Sequence, residues 1–280
     1  MSPEAVSPQY GSPETVAPER GALRIERVGA VLHLTLDRAD KRNTIDVATC
    51  VELHDLLGEA DRDSQVRAIV IAGTERDFCT GADVTASPEA LATMTTLDYR
   101  FATTQYQALF QRLWEIETPV VSAVTGTVAG AGWMLALLAD LVVAAQGARW
   151  THVFTRRGMV PHAGDPYFMP RIIPFHRLNE IAMLSDPVPS ETLHEWGMVN
   201  RCVPAAEVVP TALELAARLA DGPTRALAMT KRLYRRSLDT DIATAFEAER
   251  NAQALISTTH DRREGVQSMI ERRPAKFIGN

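Results

Sequence analysis

Between Leu23 and about Pro204, short apolar runs alternate with segments of helical spacing, and that alternation restricts the chain to an α/β architecture. "LRIERVGAVLHLTLD" alternates in polarity and breaks at Val28-Gly29, which predicts a β-hairpin. "DVATCVELHDLLGEADRD" has helical spacing behind an acidic start at Asp46. "VRAIVIAG" reads as a short buried strand closed by Gly73. A long helical stretch runs from about Leu97 to Trp114, and "PVVSAVTG" is a second apolar strand. "WMLALLAD" is apolar nearly all round, as a buried helix is, and "LVVAA" and "ARWTHV" follow as strands.

The two ends of the chain differ from this middle. Pro3, Pro8, Pro13 and Pro18 recur among Ser, Glu and Ala, a composition too poor in apolar groups to build a core. Residues 1–20 are therefore expected to be a disordered tail, and residues 21–204 an α/β core. Residues 205–280 read almost wholly as helix and form a helical C-terminal subdomain.

Composition excludes several functions. The net charge is −6 with dispersed Lys and Arg, so there is no basic nucleic-acid footprint. Cys50, Cys79 and Cys202 form no CxxC pair, which argues against a disulfide framework or a zinc site and suits a cytoplasmic location. No apolar run reaches membrane-spanning length.

Two glycine-marked turns follow apolar strands, "AIVIAGTERDFCTGADV" and "VVSAVTGTVAGAGWMLALLAD". Ligands of α/β sheets bind beyond the carboxyl ends of strands, so both turns can line one site. A helix N-terminus adds unpaired N–H groups and the positive end of its dipole. The second turn reads GxxxGxG, which is not the GxGxxG dinucleotide fingerprint, and no P-loop is present.

"RDFCTGADV" and "PVVSAVTGTVAGAGWMLALLADLVVAA" resemble the two signature stretches of the crotonase superfamily, the enoyl-CoA hydratases and isomerases. "LTLDRADKRNTID", "RRGMVPHAG", "EWGMVNRCVP" and "EGVQSMIERRPAKF" resemble further family segments, in order, over roughly Leu23 to Phe277. The resemblance implies a crotonase-like spiral of ββα units with a helical C-terminal trimerisation region. It implies a homotrimer or a hexamer (a dimer of trimers) that takes an acyl-CoA thioester as substrate, without a further cofactor or metal. It also implies that the backbone N–H groups of Ala82 and Ala131 form an oxyanion hole around the thioester oxygen. Lys41, Arg42 and Lys276 are the implied CoA-binding cations. The physical need is charge: removing a proton beside the thioester turns its oxygen into an enolate, which two oriented N–H dipoles stabilise.

The chain departs from the family where hydratases carry two glutamates. Those positions hold Met134 and Phe154, and neither side chain can transfer a proton or orient a water. His162 occupies a turn position where some relatives place an acidic catalytic residue, and its imidazole suits proton transfer. Asp165, three residues on, is expected to orient it. His152, expected on a strand and sharing a face with Phe154, is a core or supporting histidine of the same candidate catalytic group. Asp83 is expected to hold its own loop by local hydrogen bonds. Trp133, Met134 and Phe154 suggest a bulky apolar acyl pocket. Together these residues point to isomerase, ring-hydrolase or C–C bond hydrolase chemistry through an enolate. The alternatives are a true hydratase with an atypical acid/base pair and an acyl-CoA binding protein without turnover.

Overall fold

The computed structural model describes residues 21–83 and 93–280. The segment expected to be a disordered tail lies outside the described residues.

The hairpin forms as the alternation predicts: β1 (Leu23–Val28) pairs antiparallel with β2 (Val31–Leu36), and Val28 faces Val31 across the turn. α1 (Val47–Arg62) starts at Asp46, whose side chain accepts from the Thr49 N–H and caps the helix. The buried run of five apolar residues is β3 (Ala68–Ala72). It is followed by β4 (Asp77–Cys79), a strand too short to be read from the sequence. α2 (Thr96–Glu115) is closed at its start by a Thr95–Asp98 capping box. Next come β5 (Val120–Val124), β6 (Thr127–Ala129) and α3 (Ala131–Leu137), the buried helix. β7 (Leu141–Ala145) and β8 (Arg149–Thr151) complete the repeated units.

Successive strands then sort into two sheets. β3, β5 and β7 lie side by side in a six-stranded sheet of order β1-β2-β3-β5-β7-β10, where β10 is Arg201–Val203. β4, β6 and β8 lie in a four-stranded sheet of order β4-β6-β8-β9, where β9 is Val188–Pro189. Each strand pair therefore gives one strand to each sheet before the chain moves on one place, which is the spiral of ββα units expected from the resemblance. The pairings β4–β6 and β6–β8 are parallel, so three carboxyl ends point the same way.

Alternation along the large sheet separates two cores. Ile69 and Ile71 face one way, into a core shared with Leu53, Leu57, Phe78 and Trp133. Ala68, Val70 and Ala72 face the other way, against α7 (Val208–Ala220). α7 turns Ala212, Ala216 and Ala220 to the sheet at intervals of four, and these small residues let helix and sheet approach closely.

Between β8 and α7 lie α4 (Asp165–Ile172), α5 (Phe175–Leu184) and α6 (Ser190–Glu195). After α7 come α8 (Thr224–Arg236), α9 (Ile242–Ser257) and α10 (His260–Glu271), in agreement with the helical reading of this end. Among the described residues no helix is long and apolar enough to cross a membrane.

Candidate active site

The site is built on the three parallel carboxyl ends of β4, β6 and β8. Beyond β4 come Gly81 and Ala82, beyond β6 come Gly130 and Ala131, and beyond β8 comes His152. The sequence had suggested that β3 and β5 run directly into the glycine turns. Instead the three-residue strands β4 and β6 intervene and present the turns side by side.

The turns touch. Gly81 has φ +96, and a Cβ there would sit 2.9 Å from the Ala129 carbonyl oxygen and 3.4 Å from the Ala131 nitrogen. At Gly132 a Cβ would collide with the Cys79 carbonyl, so β4 and α3 pack at a distance that only glycine allows. The backbone bonds Ile45 N–H to Gly81 O and Asp83 N–H to Ile45 O pass on either side of Ala82 and leave its N–H out of that bridge. Ala131 is the first residue of α3, where an N–H has no partner within the helix. Two backbone donors on adjoining turns can hold a carbonyl oxygen.

A ladder of aromatic rings continues from α3. Trp133 packs edge-on against Trp150 at 5.4 Å and against His152 at 6.1 Å. His152 meets Phe154 at 4.9 Å, and Phe154 meets His162 at 5.0 Å. A Cβ at Gly130 would lie 4.0 Å from the tip of the Phe154 ring, so the ladder runs past the residue before Ala131. Trp133, Met134 and Phe154 are all buried.

The structure corrects two expectations. The Asp165 carboxylate does not pair with the His162 ring: its Oδ2 lies 2.8 Å from Nε2 of His152, both side chains are buried, and Asp165 meets His162 only through its backbone N–H, which donates to the His162 carbonyl. The reason is local. Ala163 and Gly164 both have positive φ, and the chain turns so that Asp165 opens α4 facing His152. His152 is also not on a strand, because β8 ends at Thr151 and Phe154 precedes a single 3-10 turn, Thr155–Arg157. His162 is half-buried; burial pushes its pKa below the ordinary histidine value, opposed by the nearby charge of Asp165. Its imidazole is therefore neutral at pH 7 and able to accept a proton.

The expected cations are dispersed. Arg42 is committed to Asp77, with NH2 2.8 Å from Oδ1 and Nε 3.3 Å from Oδ2, and it also reaches Thr127. Asp77 is 1% exposed, so this forked pair ties the Arg42 loop to β4. Nothing in the sequence marks Asp77 as its partner. Lys41 is half-exposed and lies 3.6 Å from Asp83, which also faces Arg38 at 3.7 Å, in keeping with a loop-holding role for Asp83. Lys276 is exposed; its backbone N–H donates to Glu264 on α10. Among the described contacts none joins it to the Lys41 loop. Cys79, beside the site, has a thiol pushed up to about 12 by burial, so it is protonated and no nucleophile.

Two sheets fed by alternate strands, with adjoining glycine turns at the strand ends, define a class of α/β protein, and comparison with known proteins gives the family. The enoyl-CoA hydratase/isomerase family profile matches residues 26–280, and the chain belongs to this family, the crotonase superfamily. It is 32% identical over 253 residues to the 1,2-epoxyphenylacetyl-CoA isomerase of Escherichia coli K12, covering 89% of this chain and 95% of that one. It is 33% identical over 258 residues to a probable enoyl-CoA hydratase of Rhodobacter capsulatus, covering 92% and 98%. The crystal structure of a putative enoyl-CoA hydratase from Streptomyces coelicolor superposes with a TM-score of 0.88 at 34% identity, over the full length of both chains.

Proposed function

We propose that this chain is an enzyme that rearranges an acyl-CoA thioester through an enolate, with His162 as the proton-transfer residue. The observation that carries the reading is the pair of adjoining turns at the ends of β4 and β6, next to a site whose two glutamate positions are the buried Met134 and Phe154. In the reaction, neutral His162 takes a proton from the carbon beside the thioester. The electron pair moves onto the thioester oxygen, where the N–H groups of Ala82 and Ala131 hold the negative charge. Return of the proton to another carbon moves a double bond with no net change in atoms.

Isomerisation of a ring-bearing acyl group is supported by the apolar, aromatic lining and by the likeness to 1,2-epoxyphenylacetyl-CoA isomerase. Ring or C–C bond hydrolysis uses the same enolate. A second reading, hydration with an atypical acid/base pair, is favoured by the likeness to the Rhodobacter capsulatus protein. CoA runs past Lys41 and the exposed half of Arg42, with Lys276 a further cation. The assembly is a homotrimer or a dimer of trimers in the cytoplasm. Ile242, Phe246 and Leu255 on α9 and Met269 and Ile270 on α10 are exposed large apolar side chains that a neighbouring subunit would cover.

The test is proton exchange in heavy water. Phenylacetyl-CoA incubated with the enzyme should exchange the proton at its α-carbon, while crotonyl-CoA should show hydration far below the ordinary range of about 1–10³ s⁻¹. Fast hydration without α-exchange of phenylacetyl-CoA would replace this reading by the second.

A further inference from the structure

Six buried side-chain nitrogens or oxygens lack a hydrogen-bond partner among the described residues, and three of them sit on one ring ladder: Trp133 Nε1, His152 Nδ1 and His162 Nδ1. The other three, on Arg27, Thr44 and Arg112, belong to no such group. Trp133 and His152 are wholly buried, and a buried polar group left unpaired is destabilising. Their placement is also particular. Trp133 is two residues beyond Ala131, and His152 directly follows Thr151, whose carbonyl accepts the Gly130 N–H at 3.2 Å. Both residues therefore adjoin the turn that carries Ala131, one of the two proposed backbone donors.

Their hydrogen-bonding characters differ. Asp165 is an acceptor at Nε2 of His152, so Nε2 carries a proton, and Nδ1, which meets no acceptor among the described residues, is assigned as the ring's acceptor nitrogen. The indole Nε1–H of Trp133 can only donate. A group that satisfies both must accept from the indole and donate to the imidazole. A hydroxyl does both; a hydrocarbon does neither, and an ether or ketone oxygen only accepts.

Building on the acyl-CoA reading, we infer that Trp133 and His152 recognise a hydroxyl carried by the acyl group, so that the preferred substrate is a hydroxylated acyl-CoA. His162, at the partly exposed end of the ladder, stays free for proton transfer. The apolar lining of Met134 and Phe154 then holds the carbon skeleton, and the two nitrogens select what it carries. A site with buried polar groups discriminates strongly against an analogue that leaves them unpaired.

The experiment is calorimetric titration of the full-length wild-type protein with phenylacetyl-CoA and its three ring-hydroxylated isomers, chosen because a ring hydroxyl is not eliminated. At least one hydroxylated isomer should bind about tenfold or more tightly than phenylacetyl-CoA, the factor expected for about 1.4 kcal/mol. Trp133→Phe should collapse that ratio to within about twofold. Equal binding of all four thioesters by the wild type overturns the inference, whether or not the variant folds, and assigns the nitrogens to bound water. A preference that survives both Trp133→Phe and His152→Phe also overturns it. If neither CoA nor any of the four thioesters binds, the acyl-CoA reading itself fails, an outcome distinct from equal binding.

Discussion

The face of the large sheet under α7 and the ring ladder beside β8 are both buried, yet they are built from different material. The buried residues of the α7 layer are all Val and Ala, among them Val31, Ala68, Val70, Val121, Ala123, Val143, Ala212 and Ala216, with leucines only at its partly buried margin. The ladder places two tryptophans, two histidines, a phenylalanine and a carboxylate within touching distance. Small apolar groups pack without directional demands, so the first region needs only shape. Buried polar rings need partners in fixed directions, and such a region is retained where it has chemistry to perform. Scaffold and site are thus separable in this fold, although only the large sheet lies between them.

That separation predicts opposite consequences for substitutions. The largest effect is expected from His162→Ala, which should slow α-proton exchange by about 10²–10⁴-fold, the usual contribution of a general base. Its thermal midpoint should barely change, since His162 is half-buried at the end of the ladder. An exchange rate close to wild type would reduce His162 to a turn residue.

Ala216→Leu should do the reverse. Forcing a larger side chain into the Val and Ala layer should cost about 1–3 kcal/mol, seen as a lower denaturation midpoint. The folded fraction should keep its exchange rate per active molecule. A parallel loss of rate would show that the two regions are coupled through the sheet.

The pH profile gives a smaller effect. In the proposed reaction the active form of His162 is the neutral ring, and burial lowers its pKa from the ordinary 6.5. Activity should therefore fall on the acid side as the ring gains its proton, with the limb centred below 6.5. A limb centred above 6.5 would assign the titration to another group.

The finest test separates the two histidines. The Asp165 carboxylate raises the His162 pKa through space while its hydrogen bond goes to the His152 ring. Asp165→Asn should keep an acceptor for His152 yet remove the charge. The acid limb should then move further down in pH, with a stability loss of about 1 kcal/mol. An unchanged limb alongside the stability loss would make Asp165 purely structural.

Much of this was legible in the residues. The hairpin at Val28-Gly29, the Asp46 cap and the buried run at Ala68–Ala72 each carry a local signal, and the structure follows them. The strands β4 and β6 were obscured because three residues cannot display a period, whereas β8 lies within the apolar stretch read as a strand. The Asp165 pairing was misread for a different reason. Closeness along the chain suggests that Asp165 pairs with His162 three residues before it, but positive φ at Ala163 and Gly164 redirects the chain between them. The Arg42–Asp77 pair spans 35 positions, and nothing local links an exposed arginine to one buried aspartate among many.

The two donors proposed at Ala82 and Ala131 belong to the main chain, and this has a consequence for descent. A contact made by a peptide N–H cannot be erased by exchanging a side chain, short of introducing proline. The side chains at positions 134, 154 and 162 have no such protection and can drift from one lineage to the next. Divergent reactions can then arise around a grip that is inherited unchanged, and a chain can lose an ancestral reaction long before it loses hold of the molecule.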